Sequence, residues 1–208
     1  MKIYLADLTH TGMGINSDAF PLGIGLIASH AIQTYGDNVD ITLYKLPEDL
    51  LSALKQNMPD VIGFSSYNWN FKLSSEIARY VKRLNPKIIV IFGGPNFPLI
   101  KGDRKLFLQD NKFIDFYIKF DGEYAFTRLL KELDRVKFDI VALKEEFIEL
   151  YNVCYVVEND YIEGDNERIK DLNLIRSPYV LGLMDKFFNL DIMPLIETTR
   201  GCPFSCTF

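Results

Sequence analysis

Apolar and polar positions along the first two-thirds of the chain follow two alternating periods. Short, mostly apolar runs typical of β-strands occur at residues 2–8, 39–44, 60–65, 87–92 and 113–120. Between these runs, apolar residues recur at helical spacing over residues 22–35, 47–57, 71–84, 99–108 and 123–133. The pattern therefore predicts strands and helices that alternate along the chain.

Such an alternation with short turns implies right-handed crossovers between parallel strands. The continuous apolar run at residues 88–92 fits a strand that is covered on both faces of its sheet. We expect an α/β fold with a doubly wound, parallel, five-stranded sheet of flavodoxin-like or Rossmann-like order. This domain is expected to fill residues 1–135.

The remaining residues have a different pattern. Residues 136–192 are interpreted as a linker that carries helical segments and a β-hairpin, whose strands at residues 153–157 and 161–162 are joined by Glu158-Asn-Asp160. A new apolar strand at residues 193–198 then leads into a cysteine motif. Residues 193–208 are expected to begin a second domain.

Composition narrows the classes of function. The net charge of −5 over 208 residues argues against a nucleic-acid partner, which would normally meet a basic surface. No apolar run reaches the length of a membrane span, and the apolar segment after Lys2 is too short for a signal peptide. Three cysteines, two of them close together, suit a reducing compartment. We therefore expect a cytoplasmic protein with small-molecule partners.

The chemistry-bearing motif is Cys202-Pro-Phe-Ser-Cys206-Thr-Phe208, which follows Glu197-Thr-Thr-Arg-Gly201. Thiolates suit iron–sulfur clusters and zinc. Zinc ribbons usually carry two C-x-x-C pairs, and no second pair is present in this sequence. Cys154 lies in the predicted hairpin and is interpreted as a buried apolar residue.

This motif resembles the signature C-x-x-x-C-x-Φ-C of the radical S-adenosylmethionine family, in which Φ is aromatic. Cys202, Cys206 and Phe208 match it, and the third cysteine would be the next residue. The resemblance implies that Cys202 and Cys206 are ligands of a [4Fe–4S] cluster that binds S-adenosylmethionine. It also implies a first barrel strand at residues 193–198, and a chain that is a truncated piece of a longer enzyme. Such a piece is not expected to perform the radical reaction by itself.

In a doubly wound sheet, ligands bind beyond the carboxyl ends of the strands. Glycines there let a ligand approach the backbone closely, and helix N-termini favour anionic groups. The loops predicted at that edge supply the candidate cofactor-binding residues Thr9, His10, Thr11, Gly12, Ser65, Ser66, Tyr67, Trp69, Gly93, Gly94, Pro95, Gly122 and Glu123.

The order of these loops resembles the cobalamin-binding domain that precedes the radical module in one branch of the same family. The matching strings are Pro21-Leu-Gly23, Gly63-Phe-Ser-Ser66, Phe92-Gly-Gly-Pro95, Asp115-Phe-Tyr117 and Gly122-Glu123. The resemblance implies cobalamin as a cofactor and, in the intact enzyme, methyl transfer, cyclisation or related radical chemistry.

One motif of other cobalamin domains is absent. Mutase-type domains carry D-x-H-x-x-G, whose histidine ligates cobalt, whereas this chain has Asp7-Leu-Thr-His10-Thr-Gly12. The resemblance therefore favours cobalamin held without a protein histidine, with His10 near the site, and direct ligation of cobalt by His10 is the alternative. Trp69 is a candidate to flank the corrin ring, or else packs its own loop. His30 lies inside a predicted helix and is interpreted as structural.

Three alternatives remain at this stage. The chain is compatible with a non-catalytic, flavodoxin-like binding or regulatory module, in which Asp7 would belong to an acidic pocket. A second alternative is a domain of the same family that has lost cobalamin binding. The third is a protein that binds zinc through Cys202 and Cys206 together with a partner chain.

Overall fold

The predicted parallel sheet is present. The structure, a computed structural model, describes residues 1–12, 14–15 and 18–201. Its parallel strands are β1 (Lys2–Ala6), β2 (Asp40–Tyr44), β3 (Val61–Ser65), β4 (Ile89–Gly93) and β5 (Phe116–Ile118). They lie in the order β2-β1-β3-β4-β5, which confirms the flavodoxin-like prediction. The chain turns to opposite sides of the sheet after β1 and after β2, so the switch point lies between β1 and β3.

Helices cover both faces of this sheet. They are α1 (Leu22–Tyr35), α2 (Pro47–Gln56), α3 (Phe71–Leu84), α4 (Lys101–Asp110), α5 (Gly122–Arg135) and α6 (Ile140–Glu145). Helix α2 begins at Pro47, where the missing N–H costs no hydrogen bond. The Asp139 carboxylate caps α6 by accepting hydrogen bonds from the backbone N–H groups of Val141 and Ala142.

Two apolar cores result from this arrangement. Because side chains alternate across a strand, Leu5 and Ile91 face α1 and α5, whereas Tyr4 and Phe92 face α2, α3 and α4. Burial of each large apolar side chain contributes about 1.5–3 kcal/mol. The continuous apolar sequences of the strands are therefore explained by a sheet that is buried on both faces.

The predicted hairpin exists, but its place in the fold was not predicted. Strand β6 (Val153–Val157) pairs antiparallel with β5, and β7 (Asp160–Glu163) pairs antiparallel with β6. The sheet therefore has seven strands, which are the five predicted parallel strands and the two antiparallel strands of the hairpin. The hairpin covers the edge of β5, whose backbone groups would otherwise be unpaired.

The residues that follow the hairpin pack across the outer side of α1. Gly25 of α1 leaves room for this contact, since a Cβ there would lie 1.8 Å from Met184 Cε and 3.3 Å from Pro178 Cβ. Ser29 Oγ donates to the Arg176 carbonyl at 2.5 Å. The segment predicted as a linker is thus part of the apolar core in its later residues, with Met184 and Phe187 buried.

The expected strand at residues 193–198 appears only as a single bridge between Ala19 and Met193. A strand needs hydrogen-bonding neighbours on a sheet, and among residues 18–201 none lies beside residues 194–198. Within the described part of the chain, no helix is both long and apolar enough to cross a membrane.

Candidate functional site

A cavity of about 550 Å³ lies at the carboxyl ends of β3, β4 and β5. It extends between the sheet and the first turns of α1 and α5, on the face where Leu5 and Ile91 lie. Its wall is mostly apolar and also includes charged side chains. The lining residues are Leu5, Gly23, Ile24, Ile27, Gly63, Phe64, Ser65, Tyr67, Ile91, Phe92, Gly93, Gly94, Pro95, Phe97, Pro98, Leu99, Arg104, Ile118, Lys119, Phe120, Asp121, Gly122, Glu123, Phe126, Arg168, Glu197 and Arg200.

Glycines shape the floor and one wall of the cavity. A Cβ on Gly63 would lie 2.6 Å from Leu5 Cδ2, so the glycine leaves room for the Leu5 side chain at the floor. Gly94 has a φ of +116°, and a Cβ there would lie 2.8 Å from the Ser66 carbonyl oxygen. The β4–α4 loop can therefore approach the β3–α3 loop only because position 94 has no side chain.

Asp7 joins the ends of β1, β2 and β3. Its Oδ1 accepts hydrogen bonds from Ser65 Oγ at 2.5 Å and Asn70 Nδ2 at 3.4 Å, and its Oδ2 lies 3.3 Å from Lys45 Nζ. Lys45 is almost fully buried, so the ion pair is shielded from water. This network holds the loops at the switch point. Asp7 is therefore a structural group here, and not part of an open acidic pocket.

Two aromatic rings lie at the mouth of the cavity beyond β3. The rings of Tyr67 and Trp69 stack with centroids 4.4 Å apart, and Trp69 is 56% exposed. Burial, with the charge of Asp7, raises the pKa of the Tyr67 phenol above its ordinary value. The pair presents a flat apolar surface at this edge of the sheet.

His10 is tied to the same loop. Its Nε2 lies 2.9 Å from the Trp69 carbonyl oxygen. A carbonyl oxygen only accepts hydrogen bonds, so the bond assigns the proton to Nε2. In this arrangement Nε2 is not available as a metal ligand.

Acidic groups of the turn between β5 and α5 bind two arginines from distant parts of the chain. Arg200 donates to Glu123 at 2.7 and 3.1 Å, and to Glu197 at 2.7 and 3.0 Å. Asp121 lies 3.7 Å from Arg200 and 3.6 Å from Arg168. The hydrogen bonds to Glu197, and then those to Glu123, raise the pKa of the Arg200 guanidinium.

A second charged cluster lies at the other side of the cavity. Glu163 of β7 is paired with Lys119, with Arg104 at 2.6 Å and with Lys101 at 3.9 Å. Burial alone would raise the pKa of Glu163, but the Lys119 and Arg104 cations outweigh it, and the pKa lies below its ordinary value. The hairpin thereby fixes two cations at the cavity wall.

His30 has the structural place that was predicted for it. Its Nδ1 lies 3.1 Å from the Glu123 carbonyl oxygen, and burial lowers the pKa of the imidazole. The side chain thus ties α1 to the first turn of α5, beside the cavity.

The predicted cofactor residues divide into two groups. Those that line the cavity are Ser65, Tyr67, Gly93, Gly94, Pro95, Gly122 and Glu123. Those that lie at the same edge of the sheet but outside its wall are Thr9, His10, Thr11, Gly12, Ser66 and Trp69. Thr11 is instead bound to Glu48, and Ser66 donates its N–H to the Gly93 carbonyl.

Sequence reasoning missed most of the apolar wall. Ile24 and Ile27 of α1, and Leu5 and Ile91 of the strands, have the pattern of ordinary core positions. Gly25 marks a close approach of α1 to Met184 and Pro178, which lie outside the cavity wall. The sequence marks Arg200 only by its place before the cysteines.

The predicted cluster ligands Cys202 and Cys206 lie outside the described residues. Within residues 1–12, 14–15 and 18–201, no group of three or more histidine, cysteine, aspartate or glutamate side chains is arranged to hold a metal ion. Cys154 is buried, as predicted, and burial raises the pKa of its thiol to about 11.

Comparison with known proteins identifies what this fold is similar to. The family described as the B12 binding domain matches residues 13–130. The 2-(S-pantetheinyl)-carbapenam-3-carboxylate methyltransferase of Streptantibioticus cattleyicolor is 30% identical over 94% of this chain and 29% of its own length. The cobalamin-dependent radical SAM methyltransferase TokK of Streptomyces tokunonensis is likewise 30% identical, over 94% of this chain and 29% of its own length.

A solved structure has the same fold. The cobalamin-dependent S-adenosylmethionine radical enzyme OxsB, with aqua-cobalamin and S-adenosylmethionine bound, matches 98% of this chain and 27% of its own chain. The TM-score is 0.67 at 20% sequence identity. This chain therefore spans less than a third of the length of each of these three relatives.

Proposed function

The chain belongs to the B12-binding domain family, and on this premise we propose that its cavity binds cobalamin. The observation that carries the proposal is the cavity at the carboxyl ends of β3, β4 and β5. A doubly wound sheet binds ligands at this edge, and a volume of about 550 Å³ is within the range of cofactor pockets.

The residues present fit this group. Cobalamin combines a broad corrin ring with a nucleotide tail that ends in a flat, apolar base. The cavity lining includes the apolar side chains of Ile24, Ile27 and Ile91, which suit the base. The stacked pair Tyr67 and Trp69 offers a flat surface at the mouth, which suits the edge or face of the corrin. We propose that these two regions hold the tail and the ring respectively.

His10 is not assigned as a cobalt ligand in this proposal. Its Nε2–H donates a hydrogen bond to the Trp69 carbonyl oxygen at 2.9 Å, and the side chain does not line the cavity. The sequence also lacks D-x-H-x-x-G, the motif whose histidine ligates cobalt in mutase-type domains. We propose that His10 instead holds the loop that carries Trp69.

We further propose that the domain serves a cobalamin-dependent radical S-adenosylmethionine methyltransferase. Two relatives at 30% identity carry a methyltransferase name, and Cys202 and Cys206 match the cluster motif. Cobalamin would supply methyl-transfer or one-electron chemistry at cobalt, while this chain binds the cofactor and excludes water from it. A gene that encodes cysteine after Phe208, followed by a barrel-sized stretch, would support this part, and a stop codon there would contradict it.

Binding is tested by titrating the purified chain into hydroxocobalamin and recording the visible spectrum. We expect a shifted, saturable spectrum. A spectrum that stays identical to that of the free cofactor would show that the domain does not bind cobalamin. Cobinamide, which lacks the nucleotide tail, is expected to compete poorly if the tail occupies the cavity.

The position of the ligand is tested by filling the cavity from α1. Ile27→Phe adds bulk at the cavity wall, and we expect roughly tenfold weaker binding of hydroxocobalamin, equivalent to about 1.4 kcal/mol. Ile32→Phe is the matched control, because Ile32 is also a partly buried residue of α1 but does not line the cavity. Equal affinities for the two variants would contradict the assignment of the cavity.

A further inference from the structure

The turn between β5 and α5 holds the residues that precede the cysteine pair. Arg200 is two positions before Cys202 in the sequence, and its guanidinium bonds Glu123 through two nitrogens. The contact joins positions 77 residues apart. It links the segment at residues 197–201 to the first turn of α5 through two hydrogen bonds.

This contact is shielded from water. Arg200 retains 15% and Glu123 only 4% of side-chain exposure. A carboxylate so deeply buried requires a partner, since an uncompensated buried charge is strongly unfavourable. The planar guanidinium is suited to the role, because its forked donors reach Glu123 and Glu197 together.

The same residues form part of the cavity wall. Asp121, Glu123, Glu197 and Arg200 all line it. Asp121 also accepts a hydrogen bond from the Ile169 N–H at 2.6 Å. A ligand that fills the cavity would therefore contact the groups that fix two later segments of the chain.

We propose that Arg200 is a positioning residue that anchors residues 197–201 to Glu123 and couples their placement to occupancy of the cavity. The inference rests on the proposed function, with cobalamin as the occupant. A ligand that immobilises the cavity wall through Glu123 and Arg200 would also immobilise residues 197–201, the segment before Cys202. By linkage, an anchored segment would in turn favour binding of the cofactor.

The anchoring part is tested without any cofactor, by amide hydrogen exchange of peptides that cover residues 193–201, in which the N–H groups of Met193 and Leu195 are bonded to the Asp18 carbonyl and the Tyr179 hydroxyl. Arg200→Gln is expected to accelerate exchange in this segment by at least about fivefold. Arg135→Gln is the matched control, because Arg135 also bridges two carboxylates, Glu132 and Glu146, but at a site outside the cavity wall. Unchanged exchange in Arg200→Gln would overturn the proposal.

The double variant Arg200→Gln with Glu123→Gln separates loss of the contact from misfolding caused by an unpaired carboxylate. It removes the ion pair without leaving a buried carboxylate unpaired, and it is expected to show the same faster exchange. Arg200→Lys is expected to restore protection only in part, because an ammonium group cannot reproduce the forked contacts. Full protection in the double variant would overturn the proposal.

The coupling part is tested with hydroxocobalamin. In the wild-type chain we expect the cofactor to slow exchange of residues 193–201, and in Arg200→Gln we expect this effect to be lost and affinity to fall by about fivefold or more. Wild-type affinity together with retained protection in Arg200→Gln would overturn the coupling. If the wild-type chain does not bind hydroxocobalamin at all, the proposed function fails, and exchange in the cofactor-free protein alone decides the role of Arg200.

Discussion

Gly94 allows the loops beyond β3 and β4 to meet at the cavity, and replacement by alanine tests this geometry. The φ of +116° at Gly94 lies in a region that L-residues rarely adopt. A Cβ at this position would lie 2.8 Å from the Ser66 carbonyl oxygen and 3.1 Å from the Ser66 nitrogen. Both are backbone atoms, so a side-chain rotation cannot relieve the contact.

The expected cost has two parts. A non-glycine residue held at an unfavourable φ costs about 1–3 kcal/mol, and an overpacked contact costs about 1–3 kcal/mol more. Partial relaxation would move the loop and lengthen the bond from Tyr117 OH to the Gly94 carbonyl, which is 2.9 Å long. We therefore expect Gly94→Ala to lower the free energy of unfolding by about 3 kcal/mol.

Urea denaturation followed by circular dichroism measures this loss, with the slope against denaturant expected to stay unchanged. Gly102→Ala is the matched control. Gly102 lies in α4, and a Cβ added there would meet no atom within 4 Å, so alanine is expected to be neutral or to stabilise by up to about 1 kcal/mol. A Gly94→Ala protein as stable as Gly102→Ala would refute the argument from close approach.

Three further predictions follow from buried polar groups. Asn152→Gly keeps the left-handed backbone but removes the side-chain hydrogen bonds to Asp121 and Glu167. Urea denaturation should therefore show a free energy of unfolding that is lower by about 2–4 kcal/mol. A decrease below about 0.5 kcal/mol would contradict the role of these bonds. Burial raises the pKa of the Cys154 thiol to about 11, so iodoacetamide should alkylate it slowly in the folded chain and fast in urea. Peptide mass spectrometry measures the two rates, and equal rates would contradict the burial of Cys154. Burial lowers the pKa of His30 below 6.5, so the folded state binds fewer protons than the unfolded state just below that pH, and stability falls as the pH drops through this window. His30→Gln should therefore lose less stability than the wild-type chain when urea midpoints at about pH 7 and about pH 5 are compared, and an equal loss would show that His30 does not contribute.

Much of the fold could be predicted from local pattern. The helices at residues 22–35 and 71–84 agree with α1 and α3 at both ends, because an amphipathic period leaves a clear trace in the sequence. The parallel strand direction followed from the rule that short, right-handed crossovers join such strands, and the flavodoxin-like order is a common order for a doubly wound sheet. The hairpin was also predicted, but its pairing with β5 was not, since strand pairing depends on which edge is left uncovered.

The candidate site was only partly predictable. Gly93, Gly94 and Gly122 were identified because loop glycines at the carboxyl ends of parallel strands are a recognisable signal. Ile27 could not be identified, since an isoleucine on the inner side of a helix has the same pattern whether it faces a packed core or a cavity.

The sequence by itself determined the alternating α/β architecture, the edge of the sheet at which a ligand would bind, and the resemblance carried by the cysteine motif. These depend on local periodicity and on spacing within a few residues. Only the tertiary structure decided that β6 and β7 extend the sheet, that the cavity lies between the sheet and α1, and that Arg200 bonds Glu123. The physical reason is that contacts between positions 77 residues apart depend on how the elements pack together, and no local pattern records that packing.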